Sequence, residues 1–287
     1  MKNLTQFIIE SLKIFEGGNA VTANPIPAKI APKVYKEVET ALLKYDNSLK
    51  LAPLGSLGKK KDDDFNGDID IAIEITRPEL EEIIKNVFDD YEVNWKTMGD
   101  IISISYPYNI DGYSGNAQVD FMIVKNLEWA KWRFDSPNLK TGESKYKAAA
   151  KVRLLAIIVA EIPVTDENIE YFDDNVTIRK AYKYTFNNDG IVKQLLDYTG
   201  KKGPLKNPKK IKEFEKFISN NPKEVMKFIF GDNAKESDFK SAESLWKAIH
   251  DPNKFKYQDV VPKIKERFYK EVIDADPSLK IDKNDFI

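Results

Sequence analysis

Hydrophobic and polar positions alternate cleanly in one place along the chain. Ile69, Ile71, Ile73 and Ile75 occupy every second position, with Asp68, Asp70 and Ala72 between them. That period of two predicts a half-buried strand with isoleucines on the core side and the aspartates on the other. Strands are also expected over about 49–54, 91–97, 100–108 and 117–124. Asn109-Ile110-Asp111-Gly112 stands between the last two and carries a hairpin turn signal.

A helical period appears elsewhere. Leu4, Ile8, Leu12 and Phe15 share one face of a helix over 4–15 that stops at Gly17-Gly18-Asn19. An extended arm containing Pro25, Pro27 and Pro32 follows. A second helix over about 32–45 turns Val34, Val38, Ala41 and Leu42 inward, and a third runs over about 78–89 with Pro78 in its first turn. From Asn126 to the end the pattern reads almost entirely helical, with breaks at Pro137, Gly190, Gly200–Pro208, Gly231 and Pro252. The expectation is an α+β chain. It comprises an N-terminal helix and arm (1–33), a mixed β-sheet with flanking helices (34–125) and a mostly helical C-terminal domain (126–287).

Composition narrows the chemistry. With 42% apolar and 32% charged residues, the 287-residue chain can bury a real core. A formal net charge of −1 excludes a polycationic nucleic-acid coat. Cysteine is absent, which removes disulfides and thiolate chemistry, and His250 is the single histidine, which argues against a Ser-His-Asp triad or a multi-histidine zinc site. His250 itself reads as a helix-end residue. The longest apolar run, Leu154 to Ala160, is seven residues, against about 20 for a bilayer span, so a cytoplasmic protein with no membrane partner is expected.

Any chemistry is left to carboxylates, hydroxyls, lysines and bound metal. Asp68 and Asp70, at i and i+2 on one strand, face the same side with Cα atoms ~7 Å apart. Two such charges repel unless a cation lies between them, and a hard divalent ion such as Mg²⁺ suits carboxylate oxygens. Asp120, between Val119 and Phe121, is a third acid on a strand able to pair with the first. Three carboxylates on adjacent strands can hold two metal ions about 3.5–4 Å apart. Gly55-Ser56, at the end of the preceding strand, offers backbone N–H groups and a hydroxyl to an anion. Lys59, Lys60 and Lys61 stand just beyond, offset by Asp62, Asp63 and Asp64.

Leu54-Gly55-Ser56, eleven residues, Asp68-Ile69-Asp70-Ile71 and a later strand aspartate resemble the signature of the DNA polymerase β-like nucleotidyltransferase superfamily. The resemblance covers roughly 34–125 and implies a nucleotidyltransferase-like sheet with a second lobe after it. It implies that Asp68 and Asp70 bind two Mg²⁺ (or Mn²⁺) ions and the nucleoside triphosphate. Asp120 would bind the catalytic metal and help deprotonate an acceptor hydroxyl, while Gly55 and Ser56 hold the β- and γ-phosphates. The implied reaction is in-line attack on the α-phosphate with release of pyrophosphate. The acceptor would be an RNA 3′ end, a nucleotide, a protein or a small molecule. Ser144-Lys145-Tyr146-Lys147 and Phe15-Glu16-Gly17-Gly18-Asn19 are similar to phage-encoded members, which would place the protein in a host cytoplasm. Ser144 near a helix start, with Lys147 and Lys151 on one face, would grip a triphosphate bridging the lobes.

Other features bear on an acceptor. Lys201, Lys202, Lys206, Lys209, Lys210 and Lys212 form an acid-free basic run suited to RNA phosphates. Trp129, Trp132, Tyr106 and Tyr108 suit either base stacking or packing, and packing is the commoner use of a tryptophan pair. The alternative function is a catalytically silent fold of the same type that binds nucleic acid or protein.

Overall fold

The structure is a computed structural model that describes residues 20–95, 100–164, 169–173, 176–199 and 209–287, the side chains of 169–173 and 176–179 excepted. The helix expected over 4–15, the Phe15–Asn19 stretch, and Lys201, Lys202 and Lys206 lie outside the described residues. The chain forms two compact units that divide between Ala149 and Ala150.

The unit ending at Ala149 is built on a five-stranded mixed sheet. Its strands are β2 (Leu51–Pro53), β4 (Ile69–Ile73), β5 (Val93–Asn94), β6 (Ile101–Ile110) and β7 (Tyr113–Ile123), in the order β2-β4-β7-β6-β5. β4 and β7 run parallel and every other pair is antiparallel. A two-residue turn joins β6 to β7, with positive φ at both Asp111 (53°) and Gly112 (78°), as a twist-matched type I′ hairpin requires. Two short strands, β1 (Ile26–Pro27) and β3 (Phe65–Asn66), pair separately.

Helices α1 (Ala31–Tyr45) and α2 (Arg77–Val87) cover the apolar face of the sheet. Val34, Val38 and Leu42 from α1 and Leu80, Ile83 and Ile84 from α2 enclose Ile69, Ile71, Ile73, Ile102, Ile104, Val119 and Phe121. Each fully buried isoleucine is worth about 2 kcal/mol of transfer free energy. Glu79 fixes the start of α2 by accepting from the Thr76 backbone N–H at 2.9 Å. Helix α3 (Leu127–Phe134) follows β7, with Asn126 accepting from the Trp129 N–H at 2.9 Å.

The second unit overturns the helical reading of its middle. Helix α4 (Ala148–Glu161) passes from the first unit into the second. After it come four antiparallel strands: β8 (Ile169–Asp173), β9 (Val176–Asn187), β10 (Gly190–Asp197) and β11 (Lys209–Ser219), in the order β11-β10-β9-β8. The physical reason lies in residue type. Tyr182, Tyr184 and Phe186 recur every second position in β9, and aromatic side chains suit a pleated surface better than a helix. β11 is an edge strand, mostly exposed, so its lysines and glutamates stay in water and leave no apolar period to read. Gly190 closes the β9–β10 turn at φ +131°, and a Cβ there would lie 2.4 Å from the Ser219 carbonyl oxygen. Helices α5 (Pro222–Phe230), α6 (Ala242–Ile249) and α7 (Val261–Phe268) complete the unit. Among the described residues, no helix is long and apolar enough to cross a membrane.

Candidate metal centre

The alternation in β4 and β7 decides where the acids go. Ile69, Ile71, Val119 and Phe121 are fully buried against the helices, so Asp70 and Asp120 must face the other side of the sheet. The parallel register sets Asp70 directly opposite Asp120, and Asp68 precedes β4 by one residue. One carboxylate oxygen from each of Asp68, Asp70 and Asp120 lies within 4.8 Å of the others. Asp120 is buried, while Asp68 and Asp70 are partly open.

Their electrostatics follow from crowding. Burial pushes the Asp70 carboxyl well above its ordinary value, and the charges of Asp68 and Asp120 push it further. Lys147 and Lys60 act in the opposite sense. Burial also raises Asp120, against the lowering influence of the Ser103 hydroxyl and the Gln118 amide. Ser103 is the ladder partner of Asp120 across β6–β7, and Gln118 Nε2 donates to both Asp120 oxygens at 3.0 Å.

Gly55 adjoins this cluster. The strand pairing continues one residue past β2, where the Leu54 N–H donates to the Asp70 carbonyl at 3.0 Å. Gly55 then adopts φ +65°, and a Cβ on it would stand 3.1 Å from Asp70 Oδ2. The position therefore demands glycine on two counts, and its bareness leaves backbone open beside the carboxylates. Ser56 is half-buried in the same turn, and its carbonyl accepts from the Lys59 N–H at 3.0 Å.

The lysines separate. The Lys59 ammonium is held by Asp135 and donates to the Ser136 carbonyl at 2.6 Å, so it anchors the loop to the chain after α3. Its neighbour Lys60 donates to the Phe65 carbonyl at 2.7 Å and, with Lys147, acts on the acids. Burial lowers its ammonium from the usual lysine range, Lys147 lowers it further, and Asp68, Asp64 and Asp70 oppose the shift. Sequence reasoning marked the Lys59–Lys61 run as a whole; the structure separates its members. Which lysine turns inward depends on the turns closed by Lys59 N–H to Ser56 O and Asp64 N–H to Lys61 O, at 3.0 and 3.1 Å. Lys147 is exposed, just before α4. Ser144 is buried, and its hydroxyl accepts from the Tyr146 N–H at 2.9 Å, shaping its own turn. Lys151 is buried in the first turns of α4, within the unit that begins at Ala150. Gln118 is the other residue that pattern reading missed; a glutamine two positions before an aspartate carries no signal until the strand is known.

The aromatic residues mostly pack. Trp129 is buried with its ring stacked on Trp132, centroids 5.3 Å apart. Tyr106 and Tyr108 fall on the core face with Ile102 and Ile104, Tyr106 meeting Phe88 and Tyr91 edge-on. His250 caps the end of α6, its Nδ1 2.9 Å from the Trp246 carbonyl. Lys209, Lys210 and Lys212 lie on strand β11 of the second unit.

A set of three carboxylates whose oxygens lie this close could hold a hard divalent cation such as Mg²⁺ or Mn²⁺. Comparison with protein-family models and with curated proteins finds no match for the chain.

Proposed function

We propose that the chain is a divalent-metal-dependent nucleotidyltransferase of the DNA polymerase β-like type. In this reading it transfers a nucleoside monophosphate from a nucleoside triphosphate to an acceptor hydroxyl. The observation that carries it is the convergence of Asp68, Asp70 and Asp120 within 4.8 Å of one another beside Gly55. The mixed sheet, which sets Asp70 opposite Asp120 by parallel pairing, supports the same reading.

Asp68, Asp70 and Asp120 would hold the metal. Bound there, divalent ions supply charge stabilisation to the attacking and leaving oxygens. Gly55, lacking a side chain, lets phosphate oxygens approach the backbone next to Asp70. Lys60 and Lys147 offset the combined negative charge of carboxylates and triphosphate. The acceptor oxygen forms a bond to the α-phosphorus while the bond to the bridging oxygen breaks, and pyrophosphate leaves. The hydroxyl proton passes to an Asp120 oxygen. No histidine or cysteine is needed, in keeping with the composition.

The test is incubation of the purified chain with α-³²P-labelled nucleoside triphosphates, Mg²⁺ or Mn²⁺, and RNA, nucleotide, protein and small-molecule acceptors. Label transfer with equimolar pyrophosphate is the expected result. Its loss in Asp70→Asn and Asp120→Asn, by at least a thousandfold, assigns the chemistry to these carboxylates. Transfer undiminished in both variants refutes the assignment. Mn²⁺ and nucleotide binding without transfer to any acceptor favours the silent binding module.

A further inference from the structure

Asp120 is held by a buried amide. Gln118 sits two residues earlier on β7, facing the same side, and is 3% exposed. Its Nε2 donates to both oxygens of Asp120 at 3.0 Å. Its Oε1 accepts from the backbone N–H of Ala20 at 3.1 Å. These contacts fix the amide. Exchanging Oε1 and Nε2 would set a carbonyl oxygen against a carboxylate and an NH₂ against an N–H, two repulsions in place of three bonds.

Ala20 opens a stretch of arm that is pinned along its length to the same unit. The Asn94 amide donates to the Ala20 carbonyl at 2.8 Å, and the Thr22 N–H meets the Glu92 carboxylate at 3.2 Å. Ser105, the ladder partner of Gln118, donates its hydroxyl to the Thr22 carbonyl at 2.6 Å. The Asn24 N–H donates to the Asn116 carbonyl at 2.9 Å, and Val21 is buried.

We infer that Gln118 is a positioning residue for the metal centre. It aims the Asp120 carboxylate, and the arm at Ala20 sets the aim by holding the far end of the amide. The inference rests on the proposed metal site and adds to it a link between the arm and the ion. An amide that donates to both oxygens leaves the carboxylate its remaining lone pairs for a cation while preventing rotation about its Cβ–Cγ bond. Partners of this kind, one step behind a ligand, commonly govern metal affinity by ten- to a hundredfold.

The experiment is Mn²⁺ binding to the full chain, followed by electron paramagnetic resonance of the free ion, with thermal unfolding in EDTA as the control for folding. Gln118→Met keeps the volume and removes both the donor and the acceptor. Ala20→Pro removes the backbone N–H and fixes φ at that one position, leaving every side chain of the metal site in place. The expected result is a Mn²⁺ affinity about ten- to a hundredfold weaker in Gln118→Met. Ala20→Pro should show a smaller loss in the same direction, about two- to tenfold, with both variants folded. Wild-type affinity in folded Gln118→Met overturns the positioning role. Wild-type affinity in Ala20→Pro overturns the link to the arm, and remains decisive on that link if Gln118→Met fails to fold. Failure of the unaltered chain to bind Mn²⁺ overturns the metal site itself, and this inference with it.

Discussion

Replacing Asp70 by asparagine should make the metal-free protein more stable and the metal-bound protein less so. The two effects come from the same charge. Carboxylate oxygens of Asp68, Asp70 and Asp120 lie within 4.8 Å of one another. At an effective dielectric constant of about 20, two unit charges at that separation repel by about 3 kcal/mol. Asp70 belongs to two such pairs, and its pKa is raised by burial first and then by the charges of Asp68 and Asp120. The sign follows directly. The folded chain holds a proton on Asp70 more tightly than the unfolded chain, so ionising this site costs stability as pH rises above the carboxylate's ordinary 3.8. Asp70→Asn removes that cost and should stabilise the protein by about 1–3 kcal/mol at pH 8 in EDTA, an increase of several degrees in melting temperature. Millimolar Mn²⁺ should reverse the order, because the unaltered chain gains binding free energy that the variant has lost. Differential scanning fluorimetry in EDTA and in Mn²⁺ measures both. A variant that melts at or below the wild-type temperature in EDTA would refute the idea that these acids are held together against their own repulsion.

Three further outcomes are expected. Gly190→Ala should destabilise the second unit by about 2–4 kcal/mol, because a Cβ would overlap the Ser219 carbonyl at 2.4 Å and the backbone is at φ +131°; urea unfolding measures it, and a loss below about 0.5 kcal/mol refutes it. Asp276→Ala should cost about 3–5 kcal/mol, since it leaves the buried Arg153 guanidinium without its 2.7 Å partner. Burial alone would raise the Asp276 carboxyl, but Ser278 and Arg153 outweigh burial and hold it below 3.8; its contribution is therefore present above about pH 4 and lost as pH falls further, a dependence that Asp276→Asn should flatten in acid unfolding curves. Lys60→Met should raise the nucleoside triphosphate KM about tenfold while leaving Mn²⁺ affinity near wild type, and the opposite split would place Lys60 with the metal instead of the phosphates.

The legible part of the fold was the part where apolar and polar residues alternate between the two faces of a strand. Ile69, Ile71 and Ile73 announce β4, Val119 and Phe121 announce β7, and Asp111-Gly112 announces the turn between β6 and β7, because each obeys a local rule with a period or a fixed φ. Asp70 and Asp120 were legible for the same reason, as polar residues set between buried ones, and Asp68 by its place two residues before Asp70. The strands of the second unit were not. β11 exposes most of its side chains, and β10 buries Ile191, Val192, Leu195 and Leu196 without a simple alternation. Nor could local pattern tell Lys60 from Lys59, since the difference lies in where Asp135 and the Ser136 carbonyl happen to wait. Gln118 becomes meaningful only when Ala20, 98 positions away along the chain, comes to meet it.

The parallel pairing of β4 with β7 has a consequence for how such a site can be lost. Because side chains alternate, sliding one strand past the other by a single residue cannot merely misalign the aspartates; it turns every isoleucine of β4 onto the acidic face and drives charge among the helices. Misregistration is thus all or nothing, and the greasy side of the sheet acts as guardian of the acidic side. Changes that alter the acidic cluster while sparing the fold therefore arise at the carboxylates themselves or around them, not by a gradual drift of the strands that bear them.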